Sequence, residues 1–437
     1  MKIAVIALGK IGLPLAVQFA SRGHSVVGVD INKRVVDLVN SAIEPFPGEA
    51  HLQEKLSELV PAGRLKATTS FAEAVPGADA VVVVVPLFVD TDAQPAFDIM
   101  DDATRSVGEH LTAGTLICYE TTLPVGTTRT RWKPLLEKTS GLVEGQDFHL
   151  VFSPERVLTG RVLADLRKYP KLIGGLSPEG ARRATEFYQA VLDFDDRPDL
   201  PRPNGVWDLG STEAAELAKL AETTFRDVNI GLANQFARFA DRNGIDIYRV
   251  IEASNSQPYS HIHQPGIAVG GHCIPVYPRL YLWKDPDATI VSAAREANSD
   301  MPEYAVSELE KAHGSLEDAR VVELGVSYRG GVKEPAFSGI FPTVEALRRR
   351  GATVLVHDPM YTDDEISTLG FTPFHLGEQA VAAIIQADHA EYRGLRPGDV
   401  LGIKTMVDGR RVGNPTDWPG VAYRVIGGDR GDHATAN

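Results

Sequence analysis

The sequence predicts an α/β chain in which two doubly wound parallel sheets are joined by a central helical domain with one long helix. Three observations predict it. Near the N-terminus an almost wholly apolar run, Lys2 to Ala7, passes through a glycine turn and a helical stretch into a second apolar run, Ser25 to Val29, that closes at Asp30. Strand, turn, helix and strand in that order form the repeating unit of a parallel sheet buried on both faces. Ala214 to Arg242 carries the strongest helical spacing of small and apolar residues, with Ser211-Thr212-Glu213 as a cap before it and Asn243-Gly244 as a stop after it. From about Asp318, strand-like and helix-like runs alternate again. The resulting division is residues 1–200, 201–312 and 313–437.

With 437 residues the chain is too long for a single core. Its 43% hydrophobic and 23% charged residues are those of a globular protein. A net charge of -14 argues against a sequence-independent nucleic-acid surface or a surface for anionic membranes. Small anionic ligands stay open, because a helix N-terminus and a few cations suffice locally. No apolar run approaches the roughly 20 residues that span a bilayer. The apolar opening Met1 to Leu8 is short, lacks a cleavage site and runs into a glycine loop, unlike a signal peptide. Two cysteines cannot form a disulfide framework, and Cys118 lies in the apolar run Thr115 to Tyr119, read as a buried strand. A reducing, cytoplasmic setting is expected, with no metal site.

In chain order, Ala7 to Pro14 is a turn into a helix from Leu15 to Arg22. Gly9, Lys10, Ile11 and Gly12 bring backbone N–H groups and the helix N-terminus against a pyrophosphate, and Asp30 at the next strand tip can accept hydrogen bonds from ribose hydroxyls. The first sheet is therefore Rossmann-like and NAD is the expected cofactor, because the Asp30 carboxylate repels a 2′-phosphate. Arg34 leaves NADP open, and the first fingerprint position holds Ala7 in place of glycine. Further strands are read at Ala80 to Val85, ending at Pro86; at Thr115 to Tyr119, ending at Glu120-Thr121-Thr122; and at His149 to Phe152, ending at Ser153-Pro154-Glu155-Arg156. Ligands of open α/β sheets sit at such carboxyl ends. Pro86 and Thr121 are thus candidate cofactor contacts, and Glu155 is a candidate base whose alternative is a salt bridge to Arg156. The Pro- and Asp-rich stretch from Asp193 to Asn204 reads as the end of the first domain.

On the long helix, Lys219 and Thr223 are four apart and share a face. A lysine on a small, apolar face is either a snorkelling surface residue, the commoner case, or a buried cation with a task. The helix would expose a wide apolar stripe unless a two-fold partner covered it, so a homodimer or a multiple of dimers is expected. Val269 to Pro275 places Cys273 after Gly270, Gly271 and His272. The glycine pair allows a sharp turn and close approach to the sulfur, and nearby cations favour the thiolate that attacks carbonyl carbon. The alternative is a small buried hydrophobe. In the last third, strands are read at Arg320 to Gly325 and Thr353 to Val356, helices at Thr343 to Arg350 and near Gln379 to Ile385, a strand at Asp399 to Ile403, and a disordered polar tail from Gly427 to Asn437.

Six segments together, Gly9 to Pro14, Glu120 to Thr128, Ser153 to Gly160, Ala215 to Leu220, Gln264 to Pro275 and Val356 to Pro359, give a chain that resembles the UDP-glucose/GDP-mannose dehydrogenase family nearly end to end. The SPERVL and GGHCIP versions are most similar to the branch acting on UDP-N-acetylhexosamines. The resemblance implies oxidation of a nucleotide sugar at C6, from alcohol to carboxylate, with two NAD and no release of the aldehyde. It implies that Cys273 forms a thiohemiacetal and then a thioester, that Lys219 stabilises the alkoxide, that Glu155 is the base for thioester hydrolysis, and that Thr122 positions the water. It implies substrate contacts from Arg156, Val157, Leu158, Lys219, His263, Gly270 and Arg329. Three positions depart from the family pattern: Thr223 stands for asparagine, Tyr277 for aspartate and Ala336 for arginine. Thr223 keeps a shorter donor toward the oxyanion, whereas Tyr277 keeps a hydroxyl and loses the charge beside the catalytic water. Two other readings follow: a dehydrogenase that stops after one two-electron oxidation, motivated by Thr223 and Tyr277, and a protein that binds NAD and a nucleotide sugar without turnover. A mere binder would not need Cys273, Glu155 and Lys219 together.

Overall fold

The computed structural model describes residues 1–90 and 94–428. The chain divides into two compact units, Met1–Ala221 and Glu222–Asn437. The first is built on an eight-stranded sheet of β1 (Lys2–Ile6), β2 (Ser25–Val29), β3 (Leu65–Thr68), β4 (Ala80–Val83), β5 (Leu116–Tyr119), β6 (His149–Phe152), β7 (Lys171–Gly175) and β8 (Val206–Asp208). Its strand order is β8-β7-β6-β5-β4-β1-β2-β3. Strands β1 to β6 are parallel; β7 runs antiparallel to β6, and β8 is parallel to β7. The chain winds from β1 toward β3, then returns to β4 on the other side of β1. The crevice at the carboxyl ends of β1 and β4 is therefore a topological switch point. Strands β4, β5 and β6 are buried at every position. Burial on both faces is why these runs are apolar without alternation.

Three boundaries differ from the sequence reading. The first helix is Gly12–Ser21 and starts before Leu15. Pro14 fits there because the first turn of a helix has no acceptor for its missing N–H. Strand β4 stops at Val83, short of Val85. The first sheet also runs past the Pro- and Asp-rich stretch to its edge strand β8.

The long helix spans Thr212–Asn243, 32 residues. Ser211 Oγ accepts the N–H of Ala214 at 3.1 Å, and Gly244 leaves the helix at φ +64°. Within the second unit it packs closely on the helix Thr289–Ser299: a Cβ added at Gly231 would lie 3.1 Å from Ala294 Cα. Beside that contact, Asn234 Nδ2 donates to Asn298 Oδ1 at 2.9 Å and Asn298 Nδ2 donates to Asp227 Oδ1 at 2.8 Å. The second sheet holds β9 (Arg320–Leu324), β10 (Thr353–His357), β11 (Ala382–Ile385), β12 (Thr405–Asp408) and β13 (Ala422–Val425), in the order β10-β9-β11-β12-β13 and parallel throughout.

Two expectations fail in this sheet. The alanine-rich stretch read as a helix near Gln379 to Ile385 is strand β11, fully buried between β9 and β12. The strand read at Asp399 to Ile403 is turn structure after a short 3-10 segment, Pro397–Asp399, and the strand falls at Thr405–Asp408. The tail reading is cut back as well. Gly427 accepts the N–H of Ile247 at 2.8 Å and donates to Asp241 Oδ1 at 3.0 Å; residues 429–437 lie outside the described residues. No helix among the described residues is long and apolar enough to cross a membrane.

Candidate active site

The cofactor turn of the first unit is set by two small residues. Ala7 adopts φ +75°, a left-handed conformation that costs a residue with a Cβ about 1–2 kcal/mol, and its N–H is held by Val29 O at 2.8 Å. A Cβ at Gly12 would sit 1.9 Å from Ala7 O, so helix and turn meet there only because the residue is glycine. A Cβ at Gly9 would meet nothing within 4 Å, which leaves that backbone open to a ligand. Asp30 accepts the N–H groups of Leu8 at 2.9 Å and Asn32 at 2.8 Å, one on each carboxylate oxygen. Each oxygen keeps a lone pair for a ribose hydroxyl. Lys10 and Pro86 are exposed, Ile11 packs on the edge of the first core, and Thr121 Oγ1 ties the tips of β4 and β5 by donating to Val85 O at 2.6 Å. Arg34 is exposed on the next helix, with its backbone N–H on Asn32 Oδ1. This cradle fits NAD.

Glu155 follows β6, and its ion-pair partner is Lys171 at the start of β7, not Arg156. Arg156 Nη1 instead donates to Pro170 O at 3.3 Å. Lys171 Nζ also donates to Glu120 Oε2 at 2.7 Å, and Tyr188 Oη donates to Glu120 Oε1 at 2.6 Å. Lys171 lies 4.8 Å from the centre of the Tyr188 ring. The cluster lies deep: Lys171 is 5% exposed, the Glu120 side chain 0% and the Glu155 side chain, the most open of the three, 9%. Burial pushes Glu120 up to about 8; Lys171 pulls it down and Glu155 pushes it further up. Burial alone would lower Lys171, but the two carboxylates outweigh it and hold the ammonium charged. The second oxygen of Glu155, Oε2, is buried and without a hydrogen-bond partner among the described residues.

Thr122 is buried at the tip of β5, and the loop beyond it is pinned by Glu216 of the long helix. Glu216 accepts from Gly126 N at 2.5 Å, Thr128 N at 2.9 Å and Thr128 Oγ1 at 2.7 Å. Burial pushes Glu216 up to about 7 against those donors. Lys219, one turn further on, is 8% exposed and Thr223 is 7% exposed. The lysine is a buried cation, against the commoner snorkelling case. Val157 packs against the first core, while Leu158 is half exposed with its N–H on Asp165 Oδ2 at 3.1 Å.

In the second unit, the glycine pair seats the cysteine loop on the segment after β9. A Cβ at Gly270 would lie 2.3 Å from Tyr328 Cβ, and Gly271 takes φ +89° with its N–H on Ala336 O at 2.9 Å. His272 Nε2 lies 3.2 Å from Glu334 Oε2. Cys273 is half-buried, and its carbonyl accepts from Tyr277 N at 2.9 Å, starting the helix Tyr277–Lys284. Cys118, by contrast, is fully buried, and burial pushes its thiol up to about 12. His263 is exposed, its N–H on Asn229 Oδ1 at 3.0 Å and its Nδ1 accepting from Gln264 N at 2.9 Å. Arg329 is exposed at the carboxyl end of β9, its Nε 3.4 Å from Tyr328 Oη. Arg410 Nη2 holds the same segment by donating to Tyr328 O at 2.8 Å.

Sequence reasoning missed Lys171, Tyr188, Tyr328 and Arg410. Lys171 left one signal: a cation opening an otherwise apolar run, Lys171-Leu172-Ile173-Gly174-Gly175. The other three act through contacts more than fifty residues away, for which no local pattern exists.

A doubly wound sheet with this glycine turn and acidic strand tip marks the dinucleotide-binding half of an NAD-dependent dehydrogenase, and a second, five-stranded parallel sheet accompanies it. The chain belongs to the UDP-glucose/GDP-mannose dehydrogenase family: the NAD binding domain of that family matches residues 1–192, its central domain 213–300 and its UDP binding domain 323–415. The chain is 35% identical to a UDP-N-acetyl-D-mannosamine dehydrogenase of Pyrococcus horikoshii, over 99% of this chain and 100% of that one. It is 31% identical to the protein of the same name from Escherichia coli K12, over 94% and 98% of the two chains. The solved structure of the Pyrococcus horikoshii dehydrogenase superposes with a TM-score of 0.86 at 34% identity over 99% of this chain and 100% of that one. A UDP-glucose dehydrogenase from Pyrobaculum islandicum superposes at 0.85 with 28% identity over 97% of each.

Proposed function

We propose that this enzyme oxidises a UDP-N-acetylhexosamine, with UDP-N-acetylmannosamine the first choice, at C6 from alcohol to carboxylate. The observation that carries the mechanism is the contrast between its thiols: Cys273 is reachable on a glycine-seated loop, whereas Cys118 is sealed and held protonated. NAD, when bound, supplies the hydride acceptor for both oxidations. Gly9 to Gly12 and Asp30 hold and orient it. Lys219 offsets the charge of the departing alcohol's oxygen and Thr223 donates to it. The Cys273 thiolate attacks the aldehyde carbon and gives a thiohemiacetal that can lose a second hydride, leaving a thioester. Thr122 and Tyr277 hold the water, and Glu155 takes its proton as it cleaves the thioester. Arg156, Val157, Leu158, His263, Gly270 and Arg329 contact the nucleotide sugar.

We also propose a three-part division, its first boundary just after β8 and its second near residue 312, a cytoplasmic location, and a homodimer. Phe225, Leu232, Phe236 and Phe239 of the long helix are 66%, 43%, 36% and 55% exposed. Their spacing puts them on one side of the helix, and a second copy covering them satisfies the apolar face.

The test is stoichiometry. Purified enzyme given UDP-N-acetylmannosamine and NAD is expected to form two NADH per sugar consumed and a product heavier by the change from CH2OH to carboxylate. Cys273→Ser is expected to abolish the second NADH. One NADH per sugar in the unaltered enzyme supports instead the dehydrogenase that stops after a two-electron step.

A further inference from the structure

The hydrolytic base proposed above does not stand alone. Strands β5, β6 and β7 are neighbours, and the first two end in carboxylates that converge on one ammonium presented from the start of the antiparallel third. The antiparallel run of β7 is what makes this meeting possible: the start of β7 lies beside the ends of the parallel strands. Lys171 is the only cation paired with Glu155 among the described residues. It is itself anchored through Glu120, whose other oxygen is held by Tyr188. Glu155 Oε2 is buried and has no donor among the described residues, and the Glu155 carboxylate also lies within hydrogen-bond reach of the Glu120 carboxyl. Leaving a buried carboxylate oxygen without a donor is destabilising, because the desolvation of a charged group goes uncompensated. Such an oxygen calls for an explanation, and a catalytic task is one.

We infer that Lys171 is a positioning residue for the hydrolytic step: bridging Glu120 and Glu155, it engages Glu155 Oε1 and fixes the carboxylate so that Oε2 alone is left to take the proton of the attacking water. In that step the water oxygen forms a bond to the thioester carbon and the carbon–sulfur bond breaks. The sulfur leaves as the Cys273 thiolate, and one water proton passes to Glu155 Oε2 and from there to solvent. No electron is gained or lost. Tyr188 and Glu120 serve by holding the lysine, and neither needs to touch substrate.

The inference rests on Glu155 as base and Cys273 as nucleophile, and the experiment separates the three. Enzyme is mixed with UDP-N-acetylmannosamine and NAD in a rapid-quench apparatus; the NADH burst and the mass of the acid-quenched protein are read together. Lys171→Met is expected to keep a burst of two NADH per active site, to slow later turnover about 10- to 100-fold, as misplacement of a catalytic group does, and to accumulate acyl-enzyme on Cys273. Lys171→Arg is expected to recover most of the turnover, because it restores the cation. If Lys171→Met fails to fold by circular dichroism, the neutral pair Glu120→Gln with Lys171→Met is read in its place. Turnover within twofold of the unaltered enzyme, or a burst slowed as much as the steady state with no acyl-enzyme, overturns the inference. Glu155→Gln is the control: if it accumulates acyl-enzyme and the lysine variants do not, only the positioning role falls, and if it does not, the base assignment falls and takes this inference with it.

Discussion

Glu323 sits in the middle of β9, opposite Val356 and Ile384 of its two neighbours, and both its carboxylate oxygens are buried without partners among the described residues. Burial alone drives its pKa well above the ordinary 4.5. The folded state therefore keeps a proton that the unfolded chain gives up near that value, so stability falls as pH rises from there toward the folded-state pKa. Glu323→Gln removes the titration. It is expected to match the unaltered protein below the ordinary carboxylate pKa and to gain on it by up to about 1.4 kcal/mol per pH unit as pH rises above it. Urea unfolding at several pH values reads this, and parallel curves for the two proteins would count against it. Glu323 was visible in the sequence only as one acid in an apolar strand. Its lack of partners was not, because the two flanking strands arrive from elsewhere in the chain.

At the scale of elements, the two glycines of the cofactor turn separate by geometry what their shared motif merges. A Cβ added at Gly12 would meet Ala7 O, and one added at Gly9 would meet nothing within 4 Å. Gly12→Ala is expected to lose about 1–3 kcal/mol of stability through overpacking and to raise KM for NAD. Gly9→Ala is expected to leave the unfolding midpoint unchanged and to raise KM for NAD alone. Chemical denaturation and NAD titration on both variants decide it, and equal destabilisation would show that the contact is not what matters. The helix itself was legible from the turn and the apolar spacing after it. Strand β11 was not: Ala380, Ala382 and Ala383 favour a helix locally, and burial between β9 and β12 overrides that preference.

For the whole molecule, the apolar side of the long helix bears on assembly. Phe225 and Phe239 are two of its most exposed aromatics, at 66% and 55%. Phe225→Asp with Phe239→Asp is expected to shift the mass in solution from dimer to monomer at micromolar concentration, read by light scattering. A monomer mass for the unaltered protein would remove the dimer altogether.

The sequence by itself determined the NAD-binding βαβ unit, the long helix and its cap, the switch-point strands and the chemical identity of Cys273, Glu155 and Lys219. Each is written in residues adjacent along the chain or spaced at a fixed period. Only the tertiary structure decided which charges meet. That Glu155 answers to Lys171 and not Arg156, that Lys219 is buried, and that Tyr328 seats the glycine pair depend on strand order and on loops brought together across the chain. Long-range pairing leaves no local period to read, because it is fixed by which buried surfaces and charges satisfy one another once the sheets have closed.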